Sequence, residues 1–149
     1  MFNLDFIGLF IFIAGFIIGL GAVTVIDIHG FLGRKSAYWT EATIRTHKVT
    51  KPLIWIGTML AIVGGILFYR NVPFSGIPVY HAIIAGVLIL NGLFLSFYIS
   101  PYLLAQERAG RQAELLPRSL QNKIVVSLIV SDIGWWGGLL LLISYIVAH

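Results

Sequence analysis

Four long runs of apolar residues dominate this sequence, and each is long enough to cross a lipid bilayer. They predict spans at about residues 6–27, 52–70, 79–104 and 123–148. The hydrocarbon core of a bilayer is about 30 Å thick, so a helix needs about 20 apolar residues to cross it. Because hydrocarbon offers no partner to a backbone amide, each run must form a helix that pairs its own amides. The runs therefore predict an all-α fold with four transmembrane helices.

The composition agrees with a chain that is solvated by lipid. Hydrophobic residues make up 58% and charged residues 11% of the 149 residues, whereas a soluble domain has about 25% charged residues. The length suits a single integral membrane domain, residues 1–149. The chain has no cysteine, which excludes disulfides, iron–sulfur clusters and thiolate metal sites.

The Lys and Arg residues, 10 in total, are unevenly distributed among the predicted loops. Five lie in the first loop, one in the second and four in the third. Cytoplasmic loops of membrane proteins carry an excess of Lys and Arg. We therefore expect the first and third loops to face the cytoplasm, in a bacterial inner membrane, and both termini to lie on the other side of an antiparallel four-helix bundle. Topology thus explains the basic charge, and no nucleic-acid partner is expected.

Three polar side chains predict a polar centre near the middle of the membrane: Asp132, Asn91 and Thr58. Counted from the ends of their spans, they lie at similar depths on three different helices. A carboxyl group in hydrocarbon is costly, so an intramembrane acid is a candidate for function. One interpretation is a neutral hydrogen-bonded cluster that joins the helices. A second is a proton relay or a ligand site, and a third is a contact between subunits.

Two tryptophans, Trp135 and Trp136, follow Asp132 by three and four residues, which places them close to it on a helix. Tryptophans this far inside a span could line a binding site for a flat apolar ligand, so quinone and haem are the candidate cofactors. Alternatively, the two rings fill space between helices or face the lipid.

A second group of polar residues lies near the predicted cytoplasmic ends of the first two spans. One carboxylate–histidine pair ends the first span and another lies in the following loop: Asp27, His29, Glu41 and His47. Histidine and carboxylate groups bind zinc, iron and copper, so a metal site is one interpretation. The other is that these are ordinary polar residues at the membrane surface. On the opposite side, His81 and His149 could together ligate a haem.

Small residues four positions apart predict helix packing in the first and fourth spans. The pairs are Gly15 with Gly19 and Gly134 with Gly138. Glycines at this spacing let helix backbones approach closely, which matters where lipid removes the usual hydrophobic driving force. The pairs therefore predict contacts either within the bundle or with another subunit.

Two stretches, KPLIWIGTMLAIVGGILFY and HAIIAGVLILNGLFLSFYISPYL, carry a resemblance to known proteins. With the four spans and basic loops, they resemble small four-helix bacterial membrane proteins, which are similar in turn to the copper-resistance D and membrane protoporphyrinogen oxidase families. The resemblance implies the four-helix bundle. It implies no ligand residues, because the haem-linked families carry a histidine inside the first span and this chain has none there.

Two functional hypotheses follow from the sequence. The first is an accessory subunit that packs against a larger membrane complex, or against a second copy, through its glycine faces. It is favoured by the short loops and by the absence of a stringent catalytic motif. The alternative is a binding, redox or proton-coupled transport module around Asp132, Asn91 and Thr58. Whether the chain is an enzyme is left open.

The predicted topology can be tested by labelling single cysteines in intact cells, since the chain has no native cysteine. We expect Ser36→Cys and Ser119→Cys, in the first and third loops, to resist a membrane-impermeant thiol reagent. Ser75→Cys, in the second loop, should react with it. Labelling of the first two variants but not the third would reverse the orientation.

Overall fold

The computed structural model describes residues 3–148, and that part of the chain is all-helical. The helices in chain order are α1 Leu4–Gly33, α2 Ala37–Phe68, α3 Ile77–Phe94, a π-helical turn Leu95–Ile99, α4 Ser100–Arg108 and α5 Arg118–Ala148. Four helical stretches are long and apolar enough to cross a membrane, with α3, the π turn and α4 together forming the third. The predictions of an all-α fold and of four helices able to cross a membrane are therefore confirmed.

Helices α1 and α2 share the most extensive interface of the bundle, and glycines bring their backbones into contact. A Cβ atom added to Gly57 would lie 2.5 Å from both Cα and N of Gly19. A Cβ on Gly15 would likewise meet the backbone of Ala61, and one on Gly64 would meet the backbone of Phe12. Only hydrogen fits at these positions, so the glycines of α1 that the sequence singled out lie directly against α2.

Helix α5 packs on this pair through larger side chains. The main core cluster contains Phe12, Phe16, Leu20, Val23, Trp135 and Leu142. A Cβ on Gly138 would lie 3.1 Å from the ring of Phe16, and one on Gly134 would lie 2.7 Å from Leu88 of α3. The glycines of α5 therefore receive side chains from other helices. On α1, a Cβ on Gly15 would meet the backbone of α2, whereas one on Gly19 would meet the ring of Trp135 in α5.

The beginning of α2 differs from the sequence expectation. Ser36 caps the helix, with Oγ accepting a hydrogen bond from the Trp39 amide at 3.4 Å. The second span, predicted from about residue 52, is part of a helix that already begins at Ala37, and Pro52 lies inside it. A proline removes one amide donor from a helix but does not always end it. Here helical residues on both sides keep α2 intact, so the span begins without a break.

The third span also differs from a simple helix. The π-helical turn Leu95–Ile99 stands directly before Ser100 and Pro101. Proline cannot donate the amide hydrogen bond of a regular helix, and one extra residue in a turn shifts the register of hydrogen bonding. The helix then ends at Arg108, and the chain turns at Gly110, which has a positive φ of 67°.

Because the backbones of α1 and α2 are in contact, adding one methyl group at that contact should change the stability of the protein measurably. We expect Gly57→Ala to lower the free energy of unfolding in detergent by about 1–3 kcal/mol, because the helices must separate to accept the Cβ. Gly21→Ala is the matched control, since a Cβ at Gly21 meets no atom within 4 Å. Equal stability of the two variants would mean that α1 and α2 do not touch at Gly57.

Candidate functional site

A cavity of about 100 Å³ lies where α1, α2, the π turn and α5 meet near the first and third loops. We call it the Asp27 cavity, after the buried acid that lines it. Gly30 of α1, His47 and Trp55 of α2 and Leu128 of α5 also line it. Most of its wall is aliphatic, with Ile44, Ile99 and Leu103 from the second core cluster.

Three polar atoms that line this cavity lack hydrogen-bond partners, and two of them belong to Asp27 and His47. Asp27 is 9% exposed and its Oδ2 is unpaired, and the buried Nε2 of His47 is also unpaired. Leaving a buried polar atom unpaired costs about 1–3 kcal/mol, so native structures contain few such atoms. The two atoms come from different helices and line one cavity, which indicates a space that receives a polar group.

Basic side chains line the same cavity. The Nε of Arg34 is buried and unpaired, while Nζ of Lys51 donates to Oγ of Ser100 at 3.3 Å. Gln121 is already engaged, because its Nε2 donates to the carbonyl of Leu116 at 2.8 Å. The cavity therefore contains one acidic group, two basic groups and one imidazole within an apolar wall.

The π turn contributes directly to the wall. Leu95, Ser96 and Ile99 all line the cavity, and Nε1 of Trp55 donates to Oγ of Ser96 at 3.2 Å. The Trp55 ring also packs against α3, since a Cβ on Gly92 would lie 3.2 Å from it. A π turn inside an α-helix is often found at functional sites. In this chain it brings a serine to the indole and so fixes Trp55 at the cavity.

The four residues of the expected metal site are divided between two environments. Asp27 and His47 line the cavity, but His29 Nδ1 is 3.1 Å from Oγ1 of Thr46, and Glu41 pairs with Arg45 at 2.6 Å. Within residues 3–148, no three His, Asp or Glu side chains converge as metal ligands. The predicted metal site is not assembled, because the turn after α1 directs only two of the four residues into the cavity.

The expected polar centre is also divided. Nδ2 of Asn91 donates to the carbonyl of Ser127 at 3.0 Å and to Oγ of Ser131 at 2.9 Å. Oγ of Ser127 donates back to Oδ1 of Asn91 at 2.7 Å. Asn91 thus joins α3 to α5 through two serines. We call these three residues the Asn91 cluster.

The other two members of the expected centre lie elsewhere. Oγ1 of Thr58 donates to the carbonyl of Ile54 in its own helix at 2.8 Å. The structure brings Asp132 to neither Asn91 nor Thr58; its carboxyl is half-buried and lies close enough to Asp27 for their charges to repel. Asp132 therefore borders the region of the Asp27 cavity and is not among the residues that line it.

The two tryptophans do not form one wall. Trp135 is 2% exposed and packs edge-to-face on Phe16, with ring centroids 5.9 Å apart, whereas Trp136 is 56% exposed on the outer surface of α5. Trp135 fills space between helices, and Trp136 lies where lipid would contact it. The tryptophan that lines the Asp27 cavity is Trp55. In the sequence it is one apolar residue of the second predicted span, with nothing to single it out.

The expected haem histidines are not available as a pair. Nε2 of His81 is 2.8 Å from the carbonyl of Gly138, and its Nδ1 is 3.1 Å from the hydroxyl of Tyr69. The carbonyl can only accept, so Nε2 carries the proton and Nδ1 accepts from Tyr69. Both ring nitrogens are occupied within the bundle, which leaves neither free for iron. His149 lies outside the described residues.

Comparisons with protein-family models, with curated proteins and with solved structures gave no match to this chain. The function of the chain is therefore inferred from the Asp27 cavity and from the chemistry of its lining.

The Asn91 cluster predicts that replacing Asn91 and replacing Asp132 have different effects on stability. We expect Asn91→Leu to lower the free energy of unfolding in detergent by about 1 kcal/mol, the usual size of an interhelical hydrogen-bond effect in membranes. Asp132→Leu should leave it unchanged or raise it, because a carboxyl without a partner is removed from an apolar environment. The reverse order would show that Asp132 and not Asn91 joins the helices.

Proposed function

We propose that this chain is a small integral membrane protein that binds a lipid-soluble ligand in the Asp27 cavity. The observation that carries the proposal is the unpaired Oδ2 of Asp27, on a side chain that is only 9% exposed and lines an apolar cavity. The unpaired Nε2 of His47 supports it, since the two atoms together present a ligand with a polar end to bind.

The character of the wall favours a ligand with an apolar body over a cluster of waters alone. Buried water needs about two to four polar partners, and most of this wall is aliphatic. Ligand sites in proteins commonly combine an apolar lining with a few polar groups that set orientation. The Asp27 cavity has this composition, with Asp27 and His47 as the orienting groups.

The proposal includes the orientation that the basic loops favour. In it, the four spans alternate in direction as an antiparallel bundle in a bacterial inner membrane, with the first and third loops cytoplasmic. The Asp27 cavity would then lie in the cytoplasmic half of the protein, and both termini would lie on the other side. The contacts of Gly64 with Phe12 and of Gly57 with Gly19 support opposite directions for α1 and α2.

An accessory subunit is the second candidate, and the outer surface of the bundle supports it. Gly21, Gly86 and Gly137 have open space where a Cβ would lie. Asp132 is likewise only half-buried. Open glycines allow close approach of another helix in the membrane. A partner on this surface would leave the Asp27 cavity free, so the two candidates predict different sensitive residues.

Filling the cavity tests the proposed function. Gly30→Leu should abolish binding of the native ligand, because Gly30 lines the cavity and an added Cβ would be 3.8 Å from Leu128, a distance that permits folding. Gly21→Leu is the matched control, because it makes the same change in the same helix at an open outer position. The measurement is mass spectrometry of organic extracts from the purified proteins, normalised to protein.

We expect one compound, enriched over bulk lipid, in the wild type and in Gly21→Leu and a loss of at least tenfold in Gly30→Leu. Equal extracts from Gly30→Leu and wild type would contradict a ligand in this cavity. Loss of a stoichiometric partner protein in Gly21→Leu, with an unchanged extract in Gly30→Leu, would instead support the accessory subunit.

A further inference from the structure

We propose that the ligand of the Asp27 cavity is a neutral hydroxylated aromatic ring of the quinol class, held by hydrogen bonds to Asp27 and His47. This inference rests on the proposed function, because it names the chemistry of the ligand for the same cavity. It follows from three properties of the lining: its charges, its unpaired atoms and its shape.

The charges of the lining favour a neutral ligand. Arg34 and Lys51 line the cavity and disfavour a cationic group, while the buried carboxyl of Asp27 disfavours an anionic one. Burying an unpaired charge in such surroundings is far more costly than burying a hydrogen-bonded neutral group. A fatty acid would bring its charge next to Asp27 as well as to Arg34 and Lys51, and an alkylammonium compound would do the same with the opposite sign. Only a neutral polar group brings no charge next to a like charge.

The unpaired atoms favour a hydroxyl group. Oδ2 of Asp27 and Nε2 of His47 change between donor and acceptor roles with protonation state and tautomer. A hydroxyl can donate and accept at once, so it pairs with each of these atoms in either role. The unpaired Nε of Arg34 is a donor only, and a hydroxyl oxygen can accept from it. A ligand that can only accept, such as a quinone, would pair with the whole set in just one combination of protonation state and tautomer, whereas a hydroxyl pairs with it in any combination.

The shape of the cavity favours a ring. Its volume is about 100 Å³, smaller than the cavity of about 150 Å³ that binds benzene in another protein, so it admits at most one small ring. The indole of Trp55 forms part of the wall and is fixed by Ser96, and aromatic rings pack favourably on one another. A porphyrin is much larger than this space. A single ring with hydroxyls at opposite ends can reach two helices without losing rotamer freedom on binding.

The test is a titration of purified protein in detergent, under anaerobic reducing conditions, with a short-chain benzohydroquinone. The partner probe is its dimethyl ether, which keeps the ring but has no hydroxyl to donate. Binding is measured by isothermal titration calorimetry after the native ligand has been removed. We expect the hydroquinone to bind at least tenfold more tightly than the ether to the wild type.

Matched variants assign the effect to the cavity. Asp27→Leu and His47→Leu should each weaken hydroquinone binding about tenfold, as expected for loss of one hydrogen bond of about 1.4 kcal/mol. His29→Leu is the control, because it changes the same residue type as His47→Leu outside the cavity lining, and we expect no change. The ether comparison needs only the wild type, so it decides the matter even if a variant fails to fold.

Three further probes separate failure of this inference from failure of the proposed function: laurate, dodecylamine and decanol. Equal binding of the hydroquinone and its ether would overturn the quinol assignment. So would tighter binding of any of the three alkyl probes, with Gly30→Leu abolishing that binding, although the cavity would then remain a ligand site. Binding of every probe that is unchanged in Gly30→Leu would overturn both proposals.

Discussion

The bundle depends on direct backbone contact between α1 and α2. In a membrane the lipid chains are as apolar as a leucine side chain, so burial of apolar surface drives helix association only weakly. Close approach supplies dispersion contacts instead, and it requires glycine on both helices. Gly57 lies so close to Gly19 that no Cβ fits on Gly57, and Gly64 lies against the backbone of Phe12 in the same way. The other spans pack on this rigid pair through side chains.

That rigidity explains how an unpaired acid can persist at the edge of the bundle. Near the turn, α1 and α2 are joined again, where Oγ1 of Thr40 donates to the carbonyl of Gly33 at 2.8 Å. Asp27 lies between this junction and the glycine contact, so it cannot move to find a partner without disturbing one of them. The π turn before Pro101 then brings Ser96 and Trp55 to the opposite wall. An unpaired buried polar atom departs from the rule that such atoms find partners, and departures of this kind are expected at functional sites.

Sequence alone predicts the four helices because length and hydropathy are properties of each segment. It also identifies Asp27 and His47 as a chemical group, since both are polar residues near a span end. Sequence groups them with His29 and Glu41, which do not line the cavity, because helix rotation decides which side chains share a cavity. His29 lies only two residues from Asp27 and yet pairs with Thr46. Depth arguments fail in the same way for Asp132, which matches Asn91 in depth but not in direction. Pro101 was a visible signal for the π turn.

Whether the Asp27 cavity holds a ligand is tested most directly by a high-resolution experimental structure of the protein, purified gently from its native membrane. We predict continuous non-protein density inside the cavity, with polar atoms within about 3.2 Å of Oδ2 of Asp27 and Nε2 of His47, as hydrogen bonds require. Isolated water peaks at these two atoms, or side chains that close the cavity and pair them directly, would contradict the claim.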